Sequence, residues 1–100
     1  MNTIFYHKHF AKWLGKLKDR RAYGAIVQRI DNARYGNFGT VRALRDGVCE
    51  MKIDIGPGYR VYYARQEKTV YLLLSGGDKS TQQQDIEKAV ALWKECTDEE

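Results

Sequence analysis

The spacing of apolar residues changes once along this chain, near residue 40, and this change restricts the fold more than any other feature. Before it, residues at i, i+3, i+4 and i+7 form the stripe of an amphipathic helix: Phe10, Trp13, Leu14 and Leu17. After it, Val48–Ile55 alternates between apolar and polar residues, which is the period of a strand. Because helices precede strands, the sequence predicts an α+β fold.

Two helices and a short strand are predicted before residue 40. Thr3–Tyr6 is apolar and β-prone, and we expect an edge strand there. The second helix is expected to begin after Asp19, a suitable N-cap, and to bury residues spaced about four apart: Ala22, Ile26, Ile30 and Ala33. Gly36 is expected to end it, because glycine readily adopts the left-handed conformation that follows many helices.

Two hairpins are predicted after residue 40. Asp46-Gly47 is a strong hairpin-turn dipeptide and separates Val41–Arg45 from Val48–Ile55. Gly56-Pro57-Gly58 fits a type II turn with the proline at i+1, and it leads into Tyr59–Arg65. Strands joined by such short turns must be antiparallel, so the sequence predicts an antiparallel sheet.

The C-terminal part is predicted to hold one more strand and one helix. Thr69–Ser75 is apolar on both faces, which indicates a central strand covered on both sides. Ser80 or Thr81 is expected to be the N-cap of the last helix, whose apolar stripe includes Ile86 and Trp93. At 100 residues, the whole chain (1–100) is expected to be a single domain.

The charge of the chain points to an anionic partner. The net charge is +4, and Asp98-Glu99-Glu100 is expected to lie past the last helix, so without these three charges the body carries +7. A basic body suits nucleic acid, a membrane surface or an acidic protein. The absence of a signal-peptide pattern and of an apolar run near ~20 residues favours a cytoplasmic protein without membrane contact. Cys49 and Cys96 lack metal-site spacing, and we expect no metal or cofactor.

The candidate site residues follow from the period of the strands. Glu50 and Lys52 share one face of their strand, and Arg60 and Tyr62 share the matching face of the next strand. Paired across the intervening turn, they would form one surface with cations for a phosphate and a tyrosine ring for base stacking. The alternative interpretation is a solvated sheet face with cross-strand ion pairs.

The glycine-rich segment 74–81 invites comparison with a phosphate-binding loop. Asp78 stands where that motif requires glycine before the lysine, which excludes a nucleotide-triphosphate site. Backbone N–H groups and Lys79 remain candidates for holding a single anion at the helix N-terminus, and a plain connection is the alternative. His7 and His9 are expected to be exposed residues that precede the first helix.

Three runs of the sequence together resemble a known family. They are residues 30–39, residues 50–63 with GPGYRVYY, and residues 72–82 with GGDKST. They are similar to the "addiction module killer protein" (HigB-like) branch of the RelE/HigB/ParE toxin superfamily, and the resemblance extends from Phe5 to Trp93. The family's RelE-like fold has two N-terminal helices packed on a curved antiparallel sheet with a C-terminal helix, which agrees with the order predicted above.

The resemblance implies the toxin of a type II toxin–antitoxin system, a ribosome-dependent mRNA endoribonuclease that inhibits translation. Its partners would be the ribosome, mRNA and a cognate antitoxin, often a small helix-turn-helix protein. By the family pattern, Arg60 matches the arginine of a Tyr-Arg-Val-Tyr strand, Lys79 a basic residue after the last strand, and Lys52 a lysine of the preceding strand. Arg60 and Lys79 would stabilise the phosphorane, and Glu50 or Lys52 would act as the base.

One departure from the family pattern keeps two alternatives open. RelE- and HigB-type toxins carry a tyrosine or histidine near the C-terminus to protonate the leaving 5′-oxygen, and this chain has neither after Lys79. One alternative is a ParE-like toxin, which inhibits DNA gyrase by binding it. The other is a non-catalytic homologue that only binds its antitoxin.

Overall fold

A computed structural model describes residues 1–98 and has the predicted α+β order of elements. The elements are β1 (Thr3–Tyr6), α1 (Lys8–Lys16), α2 (Arg20–Arg34), β2 (Val41–Ala43), β3 (Val48–Ile53), β4 (Tyr59–Glu67), β5 (Val70–Gly77), a 3₁₀ turn (Lys79–Thr81) and α3 (Gln82–Asp98). The expectation that the acidic tail follows the last helix is wrong for Asp98, which belongs to α3; Glu99 and Glu100 lie outside the described residues.

The five strands form one sheet in the order β1-β5-β4-β3-β2. The four consecutive strands β2 to β5 are antiparallel, as their short connections require. β1 instead runs parallel to β5, with Ile4 beside Tyr71. β5 therefore has a neighbour on each side, which confirms the central strand that its apolar faces predict.

Helices cover both faces of the sheet, and each covered face forms a separate hydrophobic core. On one face α1 and α2 pack on the strands through a cluster that includes Phe10, Ile26, Ile30, Met51, Val61 and Leu73. On the other face α3 packs through Val48, Tyr62, Leu72, Leu74, Ala89 and Val90. The surface predicted to expose Arg60 and Tyr62 is thus largely covered by α3.

Local signals in the sequence predict several element ends correctly. The Asp19 carboxylate accepts a hydrogen bond from the backbone N–H of Ala22 at 3.1 Å, so Asp19 caps α2. Gly36 has a φ of +92° just after the same helix. Asp46 and Gly47 both have positive φ, 55° and 84°, as the predicted tight hairpin turn requires.

The turn between β3 and β4 differs from the predicted one by one position. The N–H of Gly58 donates to the carbonyl oxygen of Ile55 at 3.1 Å, so the turn begins at Ile55. Gly56 then occupies i+1 with a φ of +55°, a conformation that glycine adopts without steric cost, and Pro57 occupies i+2. The chain reverses earlier than predicted, and β3 is shorter as a result.

The end of β5 also differs from the prediction. The strand extends to Gly77 rather than ending at Ser75. The Asp78 carboxylate accepts a hydrogen bond from the backbone N–H of Ser80 at 2.8 Å and so caps the 3₁₀ turn, while α3 itself begins at Gln82, directly after Thr81. The Asp78 carboxylate thus takes up one backbone N–H of the segment that was considered for holding an anion. Within residues 1–98, no helix is long and apolar enough to cross a membrane.

Gly76 lets α1 approach the sheet, and substitution there is expected to destabilise the protein. A Cβ atom at this position would lie 2.5 Å from the indole ring of Trp13. Gly76→Ala should lower the free energy of unfolding by about 1–3 kcal/mol through overpacking, measured by urea denaturation. Gly15→Ala is the control, because no atom lies within 4 Å of its added Cβ and alanine favours helices. Equal stability of the two variants would contradict close packing at Gly76.

Candidate functional site

A groove of about 460 Å³ lies on the sheet beside the first residue of α3. Three of the four predicted catalytic residues line it: Glu50, Lys52 and Arg60. The other lining residues are Thr40, directly before β2, Val41 and Arg42 of β2, and Gln82 of α3. Four elements of the fold therefore contribute side chains to one depression.

The pairing of the strands explains why these residues meet. Lys52 lies directly opposite Arg60 across the β3–β4 pair, as predicted for strands joined by the glycine-proline turn. Glu50 lies two residues before Lys52 on β3, opposite Arg42 on β2. Since side chains at alternate positions share one face, Glu50, Lys52, Arg60 and Arg42 all project to the same side of the sheet.

The Glu50 carboxylate is the centre of a buried polar network. Its side chain is only 6% exposed. Oε2 accepts a hydrogen bond from Gln82 Nε2 at 2.9 Å and another from Arg42 Nη2 at 3.2 Å. Oε1 lies 3.8 Å from Arg60 Nε. A buried carboxylate is stable only with such partners, so Glu50 holds Arg60 in place while Arg42 and Gln82 hold Glu50.

Arg60 presents a buried donor to the groove. Its side chain is 9% exposed, and Nη1 donates a hydrogen bond to the carbonyl oxygen of Gly58 at 2.8 Å. Nε is buried and has no hydrogen-bond partner among the described residues. Leaving a buried charged donor without an acceptor is costly. An oxyanion in the groove would supply the acceptor, and a guanidinium suits phosphate oxygens especially well.

The two predicted lysines lie in different places. Lys52 Nζ is 3.3 Å from the Asp54 carboxylate, and its side chain is 40% exposed, so it can reach into the groove. Lys79 is exposed on the 3₁₀ turn after β5 and does not line the groove. The structure thus brings Glu50, Lys52 and Arg60 together and leaves Lys79 outside this group.

Tyr62 does not have the accessible ring that base stacking needs. It is fully buried beneath α3, in the cluster with Leu74 and Ala89. Burial, followed by the charge of Glu50, raises the pKa of Tyr62 far above its ordinary value. The expected stacking role is corrected by this placement: Tyr62 is a core residue because α3 covers its face of the sheet.

Three residues near the candidate sites were not predicted from the sequence. Arg42 lies opposite Glu50 in the β2–β3 pair. The hairpin turn at Asp46-Gly47 sets this register, so the position of Arg42 could have been predicted from that turn. Gln82 reaches Glu50 only through the packing of α3, for which the sequence gives no signal. His9 lies within α1 and is half-buried, whereas it was expected to be exposed before the helix. His7 is the N-cap of α1 and accepts a hydrogen bond from the His9 N–H at 3.0 Å.

Removal of the Glu50 carboxylate is expected to destabilise the protein strongly. Glu50→Ala would leave the buried Arg60 guanidinium without a counter-charge, and we expect a loss of about 3–5 kcal/mol in the free energy of unfolding, measured by urea denaturation. Arg42→Ala is the matched control: that side chain is 61% exposed, so its removal should cost no more than about 1 kcal/mol. Similar losses for both variants would show that Glu50 is not the centre of the network.

The hydroxyl of Tyr62 is expected to be dispensable for stability, while its ring is not. The hydroxyl is buried without a hydrogen-bond partner among the described residues. Tyr62→Phe removes this unsatisfied group and should leave the urea midpoint unchanged or raise it. Tyr62→Ala removes the ring and should cost about 3–5 kcal/mol. A lower midpoint for Tyr62→Phe would reveal a hydrogen bond that the structure lacks.

Two comparisons with known proteins find similar sequences. Residues 12–94 match the family described as "Phage derived protein Gp49-like (DUF891)", a range that includes every residue lining the groove. An uncharacterised protein of Haemophilus influenzae is 48% identical over 86 residues, which is 86% of this chain and 87% of that protein. Proteins of the Gp49-like family are commonly toxins of toxin–antitoxin modules and are related to RelE-type toxins.

Proposed function

The chain belongs to the phage-derived Gp49-like family, and from this we propose that it is the toxin of a type II toxin–antitoxin system that cuts mRNA on the ribosome. One observation carries the proposal for the site: Arg60 Nε is buried beside Glu50 with no acceptor among residues 1–98, in a groove that Lys52 also lines. This arrangement suits a substrate with a phosphate oxyanion.

The proposed reaction is an internal transfer at one phosphodiester. The ribose 2′-oxygen attacks the adjacent phosphorus, and the bond from phosphorus to the 5′-oxygen breaks. The products are a 2′,3′-cyclic phosphate and a free 5′-hydroxyl. The phosphorane between them carries additional negative charge, and the Arg60 guanidinium, held by Glu50 and by the Gly58 carbonyl, stabilises it without having to reorient.

Two proton transfers accompany the reaction, and the groove holds a group for each. Glu50 Oε1 accepts no hydrogen bond within the described chain and takes the proton of the 2′-hydroxyl. Lys52 lies on the same strand two residues after Glu50, and its ammonium group gives a proton to the leaving 5′-oxygen. Lys52 thereby takes the place of the C-terminal tyrosine or histidine of related toxins, and Lys79 binds a phosphate outside the groove.

The antitoxin is proposed to inhibit this activity by covering the same groove. Arg42, Lys52 and Arg60 line it, and an acidic segment of a small helix-turn-helix antitoxin would pair with these cations. Inhibition would then come from exclusion of RNA rather than from a change in the fold.

Substitution of Lys52 and Arg60 is expected to abolish cleavage. The protein is expressed alone in bacteria, and mRNA 5′ ends are mapped by primer extension. Wild type should give cuts spaced by codons, whereas Lys52→Ala and Arg60→Lys should reduce them by about 10²-fold or more, because each removes a group that acts in the transition state. Arg45→Ala is the control, since this exposed arginine pairs with Asp46 and does not line the groove. Circular dichroism checks that each variant folds.

Three results would contradict parts of the proposal. Intact mRNA with altered plasmid supercoiling would indicate a gyrase inhibitor. Normal growth on expression would indicate a homologue without toxicity. Unchanged cleavage in both Lys52→Ala and Arg60→Lys would keep the activity but exclude this groove as its site.

A further inference from the structure

A second groove, of about 380 Å³, opens between α1 and α3 at the end of β5. β1 pairs with β5 only as far as Tyr6 beside Leu73, so the last residues of β5 have no strand on that side. Side chains from both helices fill part of the space, and the groove is lined by His9, Lys12, Trp13, Lys16, Gly76 and Asp85.

Two of the residues that line this groove are lysines. Lys12 and Lys16 are exposed one turn apart on α1, and the charge of Lys88 on α3, which does not line the groove, also acts on His9. Within residues 1–98, none of these three lysines forms a salt bridge. Like charges at this spacing repel one another, and an anion bound between them would offset the repulsion.

The one carboxylate in the groove does not neutralise it. Asp85 accepts a hydrogen bond from the Thr81 hydroxyl and lies against Gly77, so its position is fixed by α3 and β5. Burial raises the pKa of Asp85. A single carboxylate therefore shares the groove with two lysines, Lys12 and Lys16, and with His9.

Burial and neighbouring cations disfavour the protonated form of His9 in the free protein. Burial lowers the pKa of His9 below 6.5, and the charges of Lys88, His7 and Lys12 lower it further, while Asp85 acts in the opposite direction. The side chain lies beside the groove, so an anion bound there would favour the protonated imidazole. Protonation and anion binding are then linked, and each promotes the other.

Residues of both grooves lie at the same end of β5. Gly77 pairs with Arg60, which lines the first groove, and Gly76 lines the second. Trp13 adds an aromatic ring to the second groove. Trp13 is partly buried and packs against the core, so the lysines of the groove are the groups that would track a nucleic-acid backbone.

We propose that the groove between α1 and α3 binds the phosphate backbone of RNA next to the cleaved bond, and that His9 takes up a proton as the RNA binds. The assignment of the ligand as RNA depends on the proposed function, but the binding does not require cleavage. An RNA strand that crosses the end of β5 would contact Lys12 and Lys16 on one side and Arg60 on the other.

The first test measures binding of RNA that the protein cannot cut. The full chain is titrated into a fluorescein-labelled 2′-O-methyl oligoribonucleotide, which has no free 2′-hydroxyl, and fluorescence anisotropy is recorded at several salt concentrations. The double variant Lys12→Ala/Lys16→Ala should bind at least about tenfold more weakly, and its log–log salt slope should fall by about 1.4, since each phosphate contact contributes about 0.7. The control Lys68→Ala/Lys94→Ala loses the same charge at exposed lysines that do not line the groove.

The second test follows His9 itself. Adding the oligonucleotide should raise the pKa of the His9 imidazole, measured from its NMR signal. A group whose pKa rises on binding makes binding tighter at low pH, so affinity should increase as the pH falls from about 8 to about 6. His9→Gln should bind with less dependence on pH, and Lys12→Ala/Lys16→Ala should lose the shift.

The outcomes separate this inference from the proposed function. Equal loss of binding in both double variants would show general charge attraction and overturn the site. Polyglutamate that binds as tightly as the oligonucleotide, with the same shift at His9, would indicate an acidic protein partner and overturn the RNA assignment. Loss of RNA binding in Lys12→Ala/Lys16→Ala would support the groove even if wild type cut no mRNA in cells.

Discussion

The Glu50 carboxylate joins four elements of the fold. Glu50 lies on β3, where Arg42 on β2 and Gln82 at the start of α3 donate hydrogen bonds to it and Arg60 on β4 forms an ion pair with it. Burial removes this carboxylate from water, and only the combined donors compensate for that loss. Three features consequently depend on one another through Glu50: the start of α3, the position of the edge strand β2 and the orientation of the Arg60 side chain. A groove suited to phosphate lies where these constraints meet.

Features fixed by neighbours in the sequence could be predicted from the sequence. Asp19 caps α2 through Ala22, three residues away, and Asp46-Gly47 adopts the backbone of a hairpin turn. The alternation along β3 and β4 also placed Lys52 and Arg60 on one face, and the register confirms that they are opposite each other. The meeting of Glu50, Lys52 and Arg60 follows from these local rules alone.

Features fixed by packing could not be predicted in this way. The period of a strand says which side chains share a face, but not which part of that face a helix covers. Tyr62 and Arg60 are on the same face of β4, yet α3 buries Tyr62 in the core while Arg60 lines a groove. Gln82 and His9 acquire their surroundings from α3 and α1 in the same manner, through contacts distant in the sequence.

Gly76 and Gly77 connect the packing to both grooves. A side chain on Gly76 would overlap the ring of Trp13, and one on Gly77 would overlap the Asp85 carboxylate, on the opposite face. Because neither glycine has a side chain, α1 and α3 both approach the same end of β5. That approach places the lysines of α1 beside one edge of the strand. The approach of α3 also brings Gln82, its first residue, to Glu50 in the first groove. The two adjacent glycines thus allow the helices that contribute to both grooves to reach the same end of β5.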